Sequence, residues 1–181
     1  MAAMRSLIHL RAYHRADYYV RTPYGRRVLR IGVASPALRR LHRQLGVDES
    51  ALLTACNPRS RRAGPGANRA ANARLWRRLR ELGFAPWPSW GRDPAGIWPA
   101  EPGWWVPGMP SEVARQLGAE FTQNAVVYAA LDGVPRLLWS CPSGFRVFGL
   151  SGSNPRQIMI HQQRQKQPTK VSDREAEHPH R

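Results

Sequence analysis

Lysine is almost missing from this chain: of its 28 basic residues, only Lys166 and Lys170 are lysines and the rest are arginine. Phosphate recognition has no reason to exclude lysine, because a compact ammonium also neutralises phosphate. So lopsided a ratio fits a codon-composition background better than a nucleic-acid footprint. Cysteine is scarce as well. Cys56 and Cys141 are the only two, far apart and without metal-ligand spacing around them. That excludes a disulfide framework and points to a reducing compartment, the cytoplasm. No apolar run approaches the roughly 18 residues needed to span a bilayer, so no membrane partner is expected. The first ten residues lack a sustained apolar core with a small-residue cleavage site, so secretion is not expected either.

Acidic residues number 12, which leaves a formal charge of +16. That charge is regional. Residues 1–92 hold 19 basic and 4 acidic side chains, a net +15, whereas residues 93–150 hold 3 and 5, a net −2. At 181 residues the chain suits one domain. The domain is expected over residues 1–149, followed by a polar tail over 151–181 expected to be disordered.

The patterning predicts an α/β fold: a single domain with a mixed sheet flanked by helices, ending in a β-hairpin. Asp17–Thr22 and Val28–Val33 read as strands around a Thr22-Pro23-Tyr24-Gly25 turn. Ser35-Pro36 opens a helix whose Leu38, Leu41 and Leu45 share one face, with Gly46 as its stop. Ala51–Cys56 is a continuous apolar run, the mark of a strand covered on both faces. A second helix spans about Ala67–Leu82. Residues 84–103 read as irregular Pro- and Trp-rich chain, and Trp104–Val106 as a strand. A third helix opens at Pro110-Ser111-Glu112. Asn124–Leu131 and Val134–Trp139 flank Asp132-Gly133, read as a two-residue hairpin turn.

Chemistry-bearing side chains gather at the ends of these elements. The second helix's core stripe of Leu75, Leu79 and Leu82, continued backwards, places Asn72 and Asn68 on the inward face. A buried amide without partners costs about 1–3 kcal/mol, so these must meet loop groups, water or a ligand. Thr54 and Asn57 end the preceding strand. Arg59, Arg61 and Arg62 add positive charge where open α/β sheets bind ligands. The alternative is that Asn57 caps a turn while Asn68 and Asn72 bond loop backbone. Gly64-Pro65-Gly66 lacks the Gly-Lys-Ser/Thr element of a phosphate loop. Gln123 and Asn124 bring two more carboxamides to a helix–strand junction, where Asn124 alternatively caps the helix. Glu101, flanked by Trp98 and Pro102, is a candidate general base if burial raises its pKa, and alternatively pairs with an arginine. Five of the seven tryptophans crowd residues 87–105; beside arginines they either stack bases or cover a core edge. Cys56 reads as an inert packed thiol, and no histidine falls in these motifs.

Thr54-Ala55-Cys56-Asn57-Pro58-Arg59-Ser60, Asn72, Trp98-Pro99-Ala100-Glu101-Pro102 and Phe121-Thr122-Gln123-Asn124-Ala125-Val126-Val127 together resemble the motif series of a bacterial domain-of-unknown-function family. Its signatures are T-A-aromatic-N-P, W-x-x-E-P and F-G-Q-N-A. The resemblance spans about Tyr13 to Trp139 and implies that Thr54, Asn57, Asn72, Glu101, Gln123 and Asn124 are the matching positions. Cys56 stands where the family has an aromatic, and Thr122 where it has glycine, which suggests that position 122 tolerates change. The resemblance brings no known activity with it.

These readings converge on a domain binding a small polar or anionic ligand of nucleotide-like character. Thr54, Asn57 and Asn72 form one wall, Glu101 a second, Gln123 with Asn124 a third, and Arg59 attracts the anion. In an enzyme, Glu101 is the general base. The competing reading is a nucleic-acid-binding module using the +15 N-terminal half, and a third is a protein-interaction module using the Trp-rich segment.

Overall fold

The computed structural model describes residues 10–140. The expected tail over 151–181 lies outside them. In chain order the elements are α1 (residues 10–15), β1 (Asp17–Thr22), β2 (Gly25–Leu29), α2 (Pro36–Leu45), β3 (Ser50–Leu53), a 3₁₀ turn (Pro58–Ser60), α3 (Pro65–Glu81), β4 (Trp87–Arg92), β5 (Glu101–Pro107), α4 (Ser111–Glu120), β6 (Ala125–Ala129) and β7 (Arg136–Trp139). The strands form one seven-stranded sheet in the order β2-β1-β4-β5-β3-β6-β7.

Every neighbouring pair in that sheet is antiparallel. The α/β class and the closing hairpin agree with the sequence reading, but the mixed sheet does not. Helix crossovers join β3 to β4 and β5 to β6, and each joined pair does run parallel. Neither pair is adjacent, however. β5 is inserted between β3 and β4, and β3 between β5 and β6, so a strand of opposite direction separates each parallel pair.

β3 is buried throughout because both its faces are covered. Leu52 joins Trp105, Val127 and the α2 leucines Leu38, Leu41 and Leu45 on one face. Ala51 and Leu53 join Val106, Val126, Leu75 and Leu79 of α3, and Leu117 of α4 on the other. Alternation along each strand delivers successive side chains to opposite layers. The α2 boundaries follow the local signals: the Ser35 hydroxyl accepts the Leu38 N–H at 3.2 Å, Pro36 takes the first turn, and Gly46 closes the helix at φ 64°.

Three local expectations change. The second strand is Gly25–Leu29 and not Val28–Val33, because the tight turn at Pro23-Tyr24 lets pairing start at once with Thr22 against Gly25. Within the stretch read as irregular lies β4. Its Pro88 falls just beyond the β1 ladder, which ends at Val20 against Ser89, so the missing N–H has no partner to lose on that side. The β6–β7 connection is longer than two residues. Its turn closes from the Ala130 carbonyl to the Gly133 N–H, and its Pro135 and Gly133 carbonyls accept from Gly32 at 2.8 Å and Ser35 at 2.9 Å. Those bonds join the chain leaving β2 to the chain entering β7, at the two ends of the strand order.

Leu75 is fully buried between α3 and the sheet. Leu75→Ala is therefore expected to lower the unfolding free energy by about 2–5 kcal/mol. Ala73→Ser, on the exposed side of the same helix, should change it by less than about 0.5 kcal/mol. Urea titration of both variants reads the difference.

Candidate functional site

Where β3 ends, Thr54 fastens the departing chain to β5. Its hydroxyl donates to the Pro102 carbonyl at 2.8 Å and accepts the Cys56 N–H at 3.0 Å. Asn57 then turns the chain in a left-handed conformation, φ 48° and ψ 59°, which asparagine adopts more readily than most residues. It is 5% exposed, and its bonds reach three other segments. The backbone N–H donates to Asn68 Oδ1 at 2.9 Å. Asn57 Oδ1 accepts from Asn68 Nδ2 at 3.0 Å and from the Ala63 N–H at 2.9 Å, while Nδ2 donates to Glu101 Oε1 at 2.6 Å.

Glu101 opens β5. The same Oε1 accepts the Trp98 indole N–H at 2.7 Å, and among the described residues Oε2 has no hydrogen-bond partner and no cation pairs with the carboxylate. Among the described residues the alternative of an arginine partner is not realised. Burial pushes the Glu101 pKa up from the ordinary carboxylate value, and the Asn57 and Trp98 hydrogen bonds pull part of the way back. Tyr18 of β1 stands in the same cross-strand row, with Gly91 of β4 between them. Because Gly91 has no side chain, the Tyr18 ring lies over it, 3.5 Å from where a Cβ would be. Burial first, then Tyr13 and Glu101, hold the Tyr18 phenol well above its usual pKa, so it stays neutral.

The remaining candidates line up around the same loop. Asn72 Oδ1 accepts the Ala55 N–H at 3.3 Å. Gln123 Nε2 donates to the Cys56 carbonyl at 3.0 Å. Asn124 Nδ2 donates to Ser60 Oγ at 2.9 Å, and Ser60 in turn meets the Tyr13 hydroxyl at 3.3 Å. Arg59 is exposed, with φ 53°, and its N–H donates to the Thr122 carbonyl at 2.8 Å. Thr54, Asn57, Asn72, Glu101, Gln123 and Asn124 thus all contact residues 54–63 or the start of β5. Asn68 and Asn72 bond loop backbone, as one of the two readings of these two amides had it, and so does Gln123. Burial raises the Cys56 thiol pKa, in keeping with an inert packed cysteine.

Asn124 is not the helix cap. Thr122 is the left-handed residue after α4, at φ 53°, and Gln123 N–H donates to the Gly118 carbonyl at 2.8 Å while Thr122 N–H donates to Ala119 at 3.0 Å. This is a Schellman ending, which glycine serves best. The glycine expected at position 122 from the resemblance therefore has a physical cause, and the threonine present carries backbone strain.

One contributor escaped the sequence reading. Asp93 accepts the N–H groups of Ala95, Ile97 and Trp98 at 3.1–3.2 Å and so shapes the loop that carries the indole to Glu101. The Asp93-Pro94-Ala95-Gly96 run is a turn signal that pointed to it. Arg62 lies over the Trp98 ring at 5.1 Å and donates to the Ile97 carbonyl at 2.8 Å. On the α3 side of the loop is a cleft of about 300 Å³ lined by residues including Pro58, Ala63, Asn68, Arg74 and Phe121. Glu101 is not in its wall, but the chain Asn68–Asn57–Glu101 connects the two. Among the described residues no three His, Cys, Asp or Glu side chains gather to hold a metal ion, and no helix is long and apolar enough to cross a membrane.

The segment from the end of β3 to the start of β6 holds every one of these candidates. The family model DUF3293, described as a protein of unknown function, matches residues 53–126. The resemblance read from the motifs is likewise to a domain-of-unknown-function family. The matched segment is narrower than Tyr13–Trp139 and leaves α1, β1, β2, α2 and β7 outside it. No curated protein matches the chain, and no solved structure does.

Two outcomes are expected of variants within residues 53–126. The raised Glu101 pKa means the folded state holds this proton more tightly than the unfolded chain. That contribution to stability is complete below the ordinary carboxylate pKa and is lost as pH rises through the raised value. Glu101→Gln keeps an oxygen for Asn57 and Trp98 without the charge. The stability of wild type relative to this variant should fall as pH rises from the ordinary carboxylate pKa through the raised one, and a pH-independent difference would contradict the assignment. Thr122→Gly relieves the left-handed strain and should raise stability by about 1 kcal/mol in chemical denaturation.

Proposed function

We propose that the DUF3293 segment binds a small polar ligand of nucleotide-like character at Glu101. The observation that carries this reading is the Glu101 carboxylate itself. It is largely withdrawn from water and held in place through one oxygen by Asn57 and Trp98, with the other oxygen uncommitted and no cation beside it among the described residues. An uncommitted acceptor of fixed orientation suits a ligand that brings its own donors, such as the N–H edge of a nucleobase. The left-handed backbone at Asn57, Arg59, Ser60 and Thr122 supports the same reading, because strained residues concentrate where a loop is held for binding.

Arg59 serves the other end of such a ligand. Its side chain is exposed at the loop tip while its backbone is tied to Thr122, which suits attraction of a phosphate. Asn57 and Asn68 fix the carboxylate, and Asn72, Thr54, Gln123 and Asn124 hold the loop. In a reaction at this site Glu101 is the proton-accepting group, its basicity strengthened by burial.

Thermal-shift titration with nucleosides and their monophosphates tests the reading. Ligand at about 100 times its dissociation constant should stabilise wild type by about 2.7 kcal/mol. Glu101→Gln should abolish the shift for both ligand classes, and Arg59→Ala should weaken the monophosphates alone. The absence of any shift, or one that survives Glu101→Gln unchanged, would refute the site.

A further inference from the structure

Helix α3 presents a second surface, away from the Glu101 centre. Leu75, Leu79 and Asn72 are buried against the sheet, which leaves the rest of the helix toward solvent. One flank carries Arg69, Ala73, Trp76 and Arg80 at spacings of four, three and four, with Ala70 and Arg77 beside them, and all six are exposed. Residues so spaced form one stripe along a helix. From Arg69 to Arg80 it runs for about 16 Å.

Among the described residues no carboxylate pairs with Arg69, Arg77 or Arg80. Of the five arginines in α3, only Arg78 meets a carboxylate among the described residues, Glu81 at 3.7 Å and Glu120 at 3.4 Å. Arg80 donates to the Phe84 carbonyl at 3.2 Å, which anchors its guanidinium without neutralising it. Trp76 is 41% exposed in the middle of the stripe. Among the described residues no ring stacks on it and no cation sits over it. The other tryptophans beside arginines differ: Trp98 lies under Arg62, and Trp90 is stacked on Tyr19 with ring centroids 5.1 Å apart. Their faces are taken, whereas that of Trp76 is open.

We propose that the exposed face of α3 binds single-stranded nucleic acid. Arg69, Arg77 and Arg80 contact the phosphates, the small side chains of Ala70 and Ala73 let the backbone approach, and an unpaired base stacks on Trp76. Unpaired bases are required because a duplex keeps its base faces inside its own stack. A lipid surface fits less well, since the stripe holds one large apolar side chain where membrane-lying helices carry a whole apolar face.

Fluorescence anisotropy of the full chain with a labelled mixed-sequence oligonucleotide tests this, with the duplex of the same length and anionic vesicles in parallel. Single strands should bind at low salt, with affinity falling linearly in logarithmic salt concentration. Replacing Arg69, Arg77 and Arg80 together by alanine should lower that slope by about 2. The same three positions changed to lysine should retain the slope. Trp76→Ala should weaken single-strand binding by about 5- to 100-fold and leave the slope unchanged. Four results overturn the proposal: no binding at low salt, wild-type affinity in the triple alanine variant, equal duplex binding with Trp76→Ala silent, or binding to vesicles alone.

Discussion

The side chain of Asn57 is the knot to which four stretches of chain are tied. Through it the end of β3 is joined to the loop at Ala63, the first turns of α3 at Asn68 and the start of β5 at Glu101. An amide has both a donor group and an acceptor, and here the acceptor oxygen serves two N–H groups while the nitrogen reaches a carboxylate. No apolar residue of similar size could substitute, because it would orphan the Ala63 N–H, remove one support of Glu101 and leave Asn68 Nδ2 with only the Ala63 carbonyl at 3.4 Å. Aspartate would meet Glu101 with a second negative charge. The left-handed backbone at this position narrows the choice again.

Much of this arrangement was legible in the chain because it depends on local chemistry. Ser35-Pro36 and Gly46 delimit α2 by capping, and the leucine spacing of α3 foretells that Asn72 faces inward. Continuing that spacing to Asn68 found a partner of Asn57. What stayed hidden depends on neighbours distant in sequence. Pro88 and the surrounding tryptophans argue against a strand by themselves. β4 forms because β1 and β5 supply partners on either side, and the proline falls where the first of those ladders has stopped. The same holds for strand direction, since no local signal says which strand will be inserted between two others. Trp98 was conspicuous, but that its indole would share the Glu101 oxygen with Asn57 rests on the Asp93 turn.

The charge that dominates the composition divides into different roles in space. Arg30 closes on Asp17, and Arg62 is spent on Trp98 and the Ile97 carbonyl. Arg26 sits over Tyr19 at 5.6 Å. At Arg26 and Arg62 the guanidinium acts as a flat surface for an aromatic ring, a task that lysine performs less well.

The insertion of β3 between β5 and β6 also governs the order in which the chain can become a sheet. Ser50 pairs with Pro107 on one side and with Ala129 on the other. The most buried strand must therefore wait for most of the described chain before either of its edges is satisfied. Such long sequence separations make closure entropically slow, and they leave Ala51-Leu52-Leu53 as a bare apolar edge on the emerging chain. During synthesis this core strand is the segment most in need of shelter, and β6 is the element whose arrival ends that exposure.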